Sequence, residues 1–123
     1  MAATGRAVDW FRVDVLQSAA TTATLIEEAG SIPPGADGVV FLPYLAGERS
    51  PLWDPAARGA FVGLALGHGR AHLTRAILEA SAFAIRHVAE PILAAGVEVG
   101  TMRVCGGPAR SETAAGVHLK LHA

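Results

Sequence analysis

The chain has 123 residues, 51% of them hydrophobic and 17% charged, enough apolar material for the core of one domain. A formal net charge of −1 offers no electrostatic hold on nucleic acid or anionic lipid, so partners of those kinds are not expected. Mean hydropathy is +0.37, yet no stretch approaches the roughly 18 uninterrupted apolar residues of a membrane helix, and the opening MAATGRAVDW lacks the basic and apolar regions of a secretory signal.

Over residues 10–29 the apolar side chains Phe11, Val15, Ala19, Ala23 and Ile26 recur every three or four positions, the spacing of a helix face, with a weak point at 14–17. Gly30 is a natural stop for that helix. The run SIPPGADG over 31–38 is a dense turn signal. Val39, Val40, Phe41 and Leu42 after it have the length and composition of a buried strand, which Pro43 ends. A long loop follows over 46–59. In it Arg49 and Arg58 are placed to pair with Glu48 and Asp54, and Trp53 to anchor the loop hydrophobically.

A second helix is expected over 70–90, where Ala71, Ala76, Ala80, Ala82 and Ala84 leave little bulk on several faces and point to a central buried helix. Pro91 should kink or restart it before it ends near Gly96. Met102 and Val104 alternate in a short strand over 101–105 that leads into Gly106 and Gly107, and Ser111 is a good N-cap for a last helix over 112–121. Cys105 reads as a small buried residue. As the only cysteine it can form no internal disulfide, which suits a reducing cytoplasm. The order helix, strand, loop, helix, strand, helix reads as α/β.

Few side chains suggest chemistry by themselves. The turn CGGPARS lies between an expected strand and an expected helix, where glycines admit close backbone approach and the helix start favours anions; steric need alone would also place glycine there. Gly5 and Asp9 are four apart and share one face of a helix start, a spacing that suits a ligand contact, although Asp9 also fits as the cap of a helix beginning at Trp10. His68 and His72, and separately His118 and His122, are four apart, but no H-E-x-x-H and no neighbouring carboxylate or thiolate completes a zinc set, so no metal ligand is assigned. Ser50, Ser81 and Ser111 lack the G-x-S-x-G setting of a hydrolase nucleophile. Asp54 or Glu48 as a general base is the remaining catalytic alternative.

The segment over 59–79, GAFVGLALGHGRAHLTRAILE, resembles the second signature of the FGGY carbohydrate kinases. The matching positions are Gly59, Phe61, Gly63 and Leu64, then after seven residues His72, Leu73, Ala76, Ile77, Leu78 and Glu79. The resemblance extends through LPYLAGERSPLWDPAARG before it and VCGGPARS after it, covers nearly the whole chain, and is strongest toward the xylulokinase branch. It implies that residues 1–123 are part of an actin-like ATPase or ribonuclease-H-like α/β domain, the nucleotide-binding C-terminal domain of such kinases. The implied activity is phosphorylation of a sugar hydroxyl by ATP with Mg2+. By the same resemblance Gly5 and Asp9 approach the phosphates and ribose, while Gly106, Gly107 and Ser111 close over the adenosine, with Pro108 in place of a usual small residue. His72 is implied to be hydrogen-bonded at the start of its helix.

The family's catalytic aspartate falls upstream of Met1, so no catalytic residue is assigned and neither Asp54 nor Glu48 replaces it. FGGY kinases are several times longer than this chain, so the expectation is part of an enzyme, inactive alone, with the sugar site outside it. The alternative is a non-catalytic kinase module acting in folding or oligomerisation, toward which Gly67, Gly69 and the departing C-terminal ETAAGVHLKLHA point. A homo-oligomer is expected from the apolar faces such a piece would leave bare.

Overall fold

The computed structural model describes residues 6–50, 52–101, 103, 105 and 110–114. Its first helical region is broken in two. α1 (Ala7–Trp10) runs directly into a π-helical turn over Phe11–Val15, and α2 follows at Thr22–Gly30. The break falls at the weak point in the apolar repeat, where Gln17 takes a φ of +48° that no right-handed helix contains. Burial of Ala7 and Val8 draws the helix start three residues ahead of Trp10. Asp9 therefore lies inside α1 and does not cap it. Thr21 caps α2, its hydroxyl accepting the Thr24 N–H at 3.1 Å, and α2 ends at Gly30 as its sequence requires.

The turn over 31–38 is of an uncommon hand. Gly35, Ala36, Asp37 and Gly38 have φ of +94°, +49°, +51° and +92°, a left-handed turn closed by the Gly38 N–H on the Gly35 carbonyl at 2.9 Å and the Val39 N–H on the Ala36 carbonyl at 3.2 Å. Glycine enters this region freely. Ala36 and Asp37 do so at about 1–2 kcal/mol each.

β1 (Val40–Leu42) pairs antiparallel with β2 (Ala60–Val62) in the register Val40 with Val62, Phe41 with Phe61 and Leu42 with Ala60. β1 is not buried on both sides: Phe41 is covered, but Val40 and Leu42 are open to solvent, the alternation of a sheet with one wet face. α3 (Arg70–Ala94) packs on the covered face and against α2 as well. Only its first half is central. Residues 74–80 and Ala82 are buried, whereas Phe83, Ile92 and Leu93 are about half exposed. α3 also runs through Pro91 without ending, because that turn is exposed and water can satisfy the carbonyl that the missing N–H leaves free.

The core gathers Ala7, Val8 and Phe11 from the first helical segment, Val39 and Phe41 around β1, and Ala76, Ile77 and Ala80 from α3. Ring contacts join the N-terminal segment to the sheet: Phe41–Phe61 at 4.6 Å, Phe11–Phe61 at 5.9 Å and Trp10–Phe41 at 6.5 Å. At 101–105 the expected strand is not formed at the described positions; Thr101, Arg103 and Cys105 are irregular, and Cys105 is exposed where burial was expected. Met102 and Val104 lie outside the described residues. No helix among the described residues is long and apolar enough to cross a membrane.

Candidate functional site

The segment over 59–79 converges on the left-handed turn and β1. His72 is the third residue of α3. Its Nδ1 accepts the Gly69 N–H at 3.1 Å, so Nε2 carries the ring proton and donates to the Asp37 carboxylate at 3.1 Å. His68 repeats the pattern, Nδ1 accepting from the Ala65 N–H at 2.9 Å and Nε2 donating to the Asp37 carbonyl at 3.0 Å. The two rings lie 5.2 Å apart with every nitrogen engaged, which leaves no imidazole lone pair for a metal. His118 and His122 lie outside the described residues. Two helical turns beyond His72, Glu79 accepts the Gly35 N–H at 3.0 Å and Arg75 Nε at 2.7 Å. The Arg75 and Glu79 side chains are only 6% and 4% exposed.

The glycines of the segment are there for space. A Cβ on Gly63, whose φ is +86°, would lie 2.5 Å from the Gly38 carbonyl oxygen; one on Gly59 would lie 2.7 Å from a Leu45 methyl and 3.0 Å from the Leu42 carbonyl oxygen. Both ends of β2 are thus pressed against the two ends of β1. These signature residues fasten a strand and its strained turn; they do not assemble reactive groups.

Past the far end of β1 is a cleft of about 420 Å3. Arg6, Asp9, Trp10, Val13 and Asp14 form one wall, Leu45 and Ala46 the other. Asp9 Oδ1 accepts the Thr22 hydroxyl and stands 4.0 Å from Arg12 Nε, which itself donates to Thr22 Oγ1 at 3.2 Å. The carboxylate is oriented by these partners and still 61% exposed, an acceptor set in place with room for another donor. Ser111 caps the start of the last described helical turn as expected, its Oγ accepting the Ala114 N–H at 3.2 Å. Next to it Thr113 packs against Gly30, its methyl 3.1 Å from where a Gly30 Cβ would be. Asp9 therefore touches the first residue of α2 and the Ser111 turn meets the last, and those two ends of the helix lie about 12 Å apart at 1.5 Å per residue. Gly5, Gly106 and Gly107 lie outside the described residues.

The loop over 46–59 holds itself differently from the expected arginine–carboxylate pairing. Glu48 accepts the Arg49 N–H at 2.7 Å, Asp54 the Ala56 N–H at 2.8 Å, and Arg58 donates to the carbonyls of Pro55 and Ala57 at 2.9 and 2.7 Å. Trp53 is no anchor: it is 72% exposed and its φ is +51°. Two participants escaped the sequence reading. Asp37 looked like an ordinary turn residue; the one signal for it was a pair of histidines on a common face with no third partner. β2 was hidden as three residues between glycines.

The sequence model of the FGGY family of carbohydrate kinases, C-terminal domain, matches residues 1–118. The chain belongs to that family. FGGY relatives include a glycerol kinase of Saccharolobus islandicus, 38% identical over 113 residues that cover 87% of this chain and 21% of the relative, and a xylulose kinase of Bacillus subtilis, 35% identical over 111 residues covering 90% and 22%. Among solved FGGY structures, a xyloylose kinase from Brucella ovis superposes with a TM-score of 0.80 at 37% identity, covering 91% of this chain and 22% of that one. A gluconate kinase from Lactobacillus acidophilus gives 0.83 at 30% identity, covering 93% and 23%. The fold is therefore the actin-like, ribonuclease-H-like α/β fold of the FGGY sugar kinases. The chain spans about a fifth of the length of the curated FGGY relatives it matches.

Proposed function

We propose that this chain is the nucleotide-binding side of a cytoplasmic sugar kinase of the xylulokinase type, part of an FGGY C-terminal domain that holds ATP for transfer of its γ-phosphoryl group to a sugar hydroxyl. The observation that supports this reading best is the open, oriented carboxylate of Asp9 in the cleft at one end of α2, with the Ser111 turn at the other. In this reading Asp9 accepts hydrogen bonds from ribose hydroxyls, which an anion suits better than phosphate contact would. Gly5 lets the backbone approach the phosphates. Gly106, Gly107 and Ser111 close over the adenosine, and the cap at Ser111 leaves helix N–H groups nearby.

Phosphoryl transfer of this kind depends on positioning and on neutralising charge on the γ-phosphoryl oxygens, which Mg2+ bridging the phosphates supplies. Among the described residues no group of three or more His, Cys, Asp or Glu is arranged to hold a cation; in this reading the chain's part is to bind and orient the nucleotide. The carboxylate that accepts the sugar's proton, and the contacts that select the sugar, are assigned outside these residues. ATP and the sugar are the proposed partners. Titrating the chain with ATP while following amide signals tests the reading. Asp9, Trp10, Ala46 and Ser111 should move, and Asp9→Ala should weaken the response. No movement at millimolar ATP would overturn it.

One observation favours a second reading, a non-catalytic module that associates with copies of itself. Val40, Val62, Phe83, Ile92 and Leu93 are large, apolar and about half exposed.

A further inference from the structure

We propose that Asp37 is a positioning residue for the nucleotide cleft, acting through β1 without touching the cleft itself. The inference rests on the nucleotide reading above and adds what sets the cleft's shape. Asp37 holds a left-handed backbone that few non-glycine residues enter, Asp and Asn more readily than most, and such a conformation persists where the surroundings over-determine it. Here they do. His72 takes the Asp37 carboxylate, His68 takes its carbonyl, and Glu79 takes the N–H of Gly35 two residues earlier. The direct consequence is the start of β1, since the same turn ends on the buried Val39.

Both walls of the cleft depend on that strand. Leu45 follows β1 by three residues and is fitted against Gly59, where a Cβ would meet its methyl at 2.7 Å. Trp10, on the opposite wall, stacks on Phe41 at the centre of β1. Phe11 holds the same helical segment to Phe61 on β2, so a shift of β1 alone would move Leu45 relative to Asp9 and disturb the Trp10 contact. Fixing the turn at Asp37 fixes the gap between the walls, and a phosphate-bearing ligand held across it is sensitive to small displacements.

The test uses the 123-residue chain. Asp37→Ala removes the carboxylate and the residue type that tolerates positive φ; Asp37→Asn keeps an oxygen for His72 and the same backbone tolerance. Asp37→Ala should shift the amide signals of Leu45 and Ala46 and the indole N–H of Trp10, and weaken ATP roughly ten- to hundredfold. Asp37→Asn should restore both. Gly59→Ala, which presses Leu45 from the other side, should move the same signals. A folded Asp37→Ala chain, α3 intact by circular dichroism, whose Leu45, Ala46 and Trp10 signals stay in place would overturn the proposal. Moved signals with unchanged ATP affinity would overturn it as well. If Asp37→Ala does not fold, Asp37→Gly replaces it with the same outcomes, because glycine accepts the turn and deletes only the carboxylate. Failure of the nucleotide reading has its own signature, no response of the unsubstituted chain to ATP, and the signal shifts alone then decide whether Asp37 sets the cleft walls.

Discussion

The Glu79 carboxylate accepts the backbone N–H of Gly35 at 3.0 Å, across 44 positions of sequence. This bond ties the middle of α3 to the turn that starts β1, and it is made by a carboxylate that burial would otherwise penalise. Arg75 sits one helical turn before Glu79 and neutralises it at 2.7 Å, so the pair enters the interior together. Such a pair is costly to break and cheap to replace.

Glu79→Ala should therefore destabilise the chain by about 3–5 kcal/mol, the range for stranding one partner of a buried ion pair. The double substitution Arg75→Met with Glu79→Leu should recover most of that loss, since Gly35 lies on an exposed turn where its N–H has water as an alternative partner. Denaturant midpoints at constant slope are the measurement. Equal losses in the single and double variants would show that the charges themselves stabilise the fold.

The signature glycines should differ sharply from their neighbours. Gly63→Ala places a Cβ 2.5 Å from a backbone oxygen at a φ of +86°, and neither the oxygen nor the turn behind it can yield cheaply. The backbone strain alone is about 1–2 kcal/mol, to which the clash adds. Gly67→Ala meets nothing within 4 Å and has no positive φ. It should be neutral or stabilise by about 0.4–1 kcal/mol through the unfolded chain. Comparable melting temperatures for the two variants would contradict the packing described at the ends of β2.

Acid should weaken the contact between α2 and α3. Arg70 Nε donates to Glu28 Oε2 at 2.8 Å. That hydrogen bond holds the Glu28 carboxyl below the ordinary glutamate value, with desolvation opposing it and the guanidinium charge adding to it. Arg70 is raised in turn by the same contact. A carboxylate depressed in the folded state contributes stability that is complete above its unfolded value and is lost as pH falls through its folded one. Glu28→Gln should flatten the acid limb of a stability–pH curve, and added salt should do so partly, because the pair is exposed. An acid limb identical in the variant would assign the loss to other carboxylates.

What was legible in the sequence was whatever local chemistry fixes. The apolar repeat located the first helical region and the alanines the second, Gly30 ended α2, Ser111 capped the last described turn, and the bond of His72 at the start of α3 followed from the FGGY resemblance. What failed depended on distant parts of the chain. β2 has three residues, too few to show an alternation. Asp37 sits in an A-D-G turn whose left-handed backbone is bonded by His68, His72 and Glu79, more than 30 positions away. Trp53 was misread because a large indole suggests burial, whereas the backbone of its loop turns it outward. The small residues of α3 announced a buried helix without saying that cover ends near Phe83. Of the residues assigned to the nucleotide, Asp9 and Ser111 were named from the chain, but their placement at opposite ends of α2 needed the fold.

That loss of cover leads to the last expectation, self-association. Val40, Leu42, Phe83 and His87 line a groove of about 260 Å3 between β1 and the exposed half of α3, and Ile92 and Leu93 extend the apolar surface beyond it. Among the described residues no strand pairs with the outer edges of the two-stranded sheet, and open edges with apolar side chains invite a second chain. Apolar area of this kind is stabilised by burial at about 25 cal/mol per Å2, so association should raise the melting temperature as concentration increases. Light scattering across a concentration series should show species larger than 12.6 kDa. Phe83→Gln with Ile92→Gln should shift the distribution toward monomer without lowering the melting temperature at the dilute end, because both residues are half exposed in the single chain. A monomer at every concentration, with a constant sharp transition, would show that the chain tolerates this surface bare.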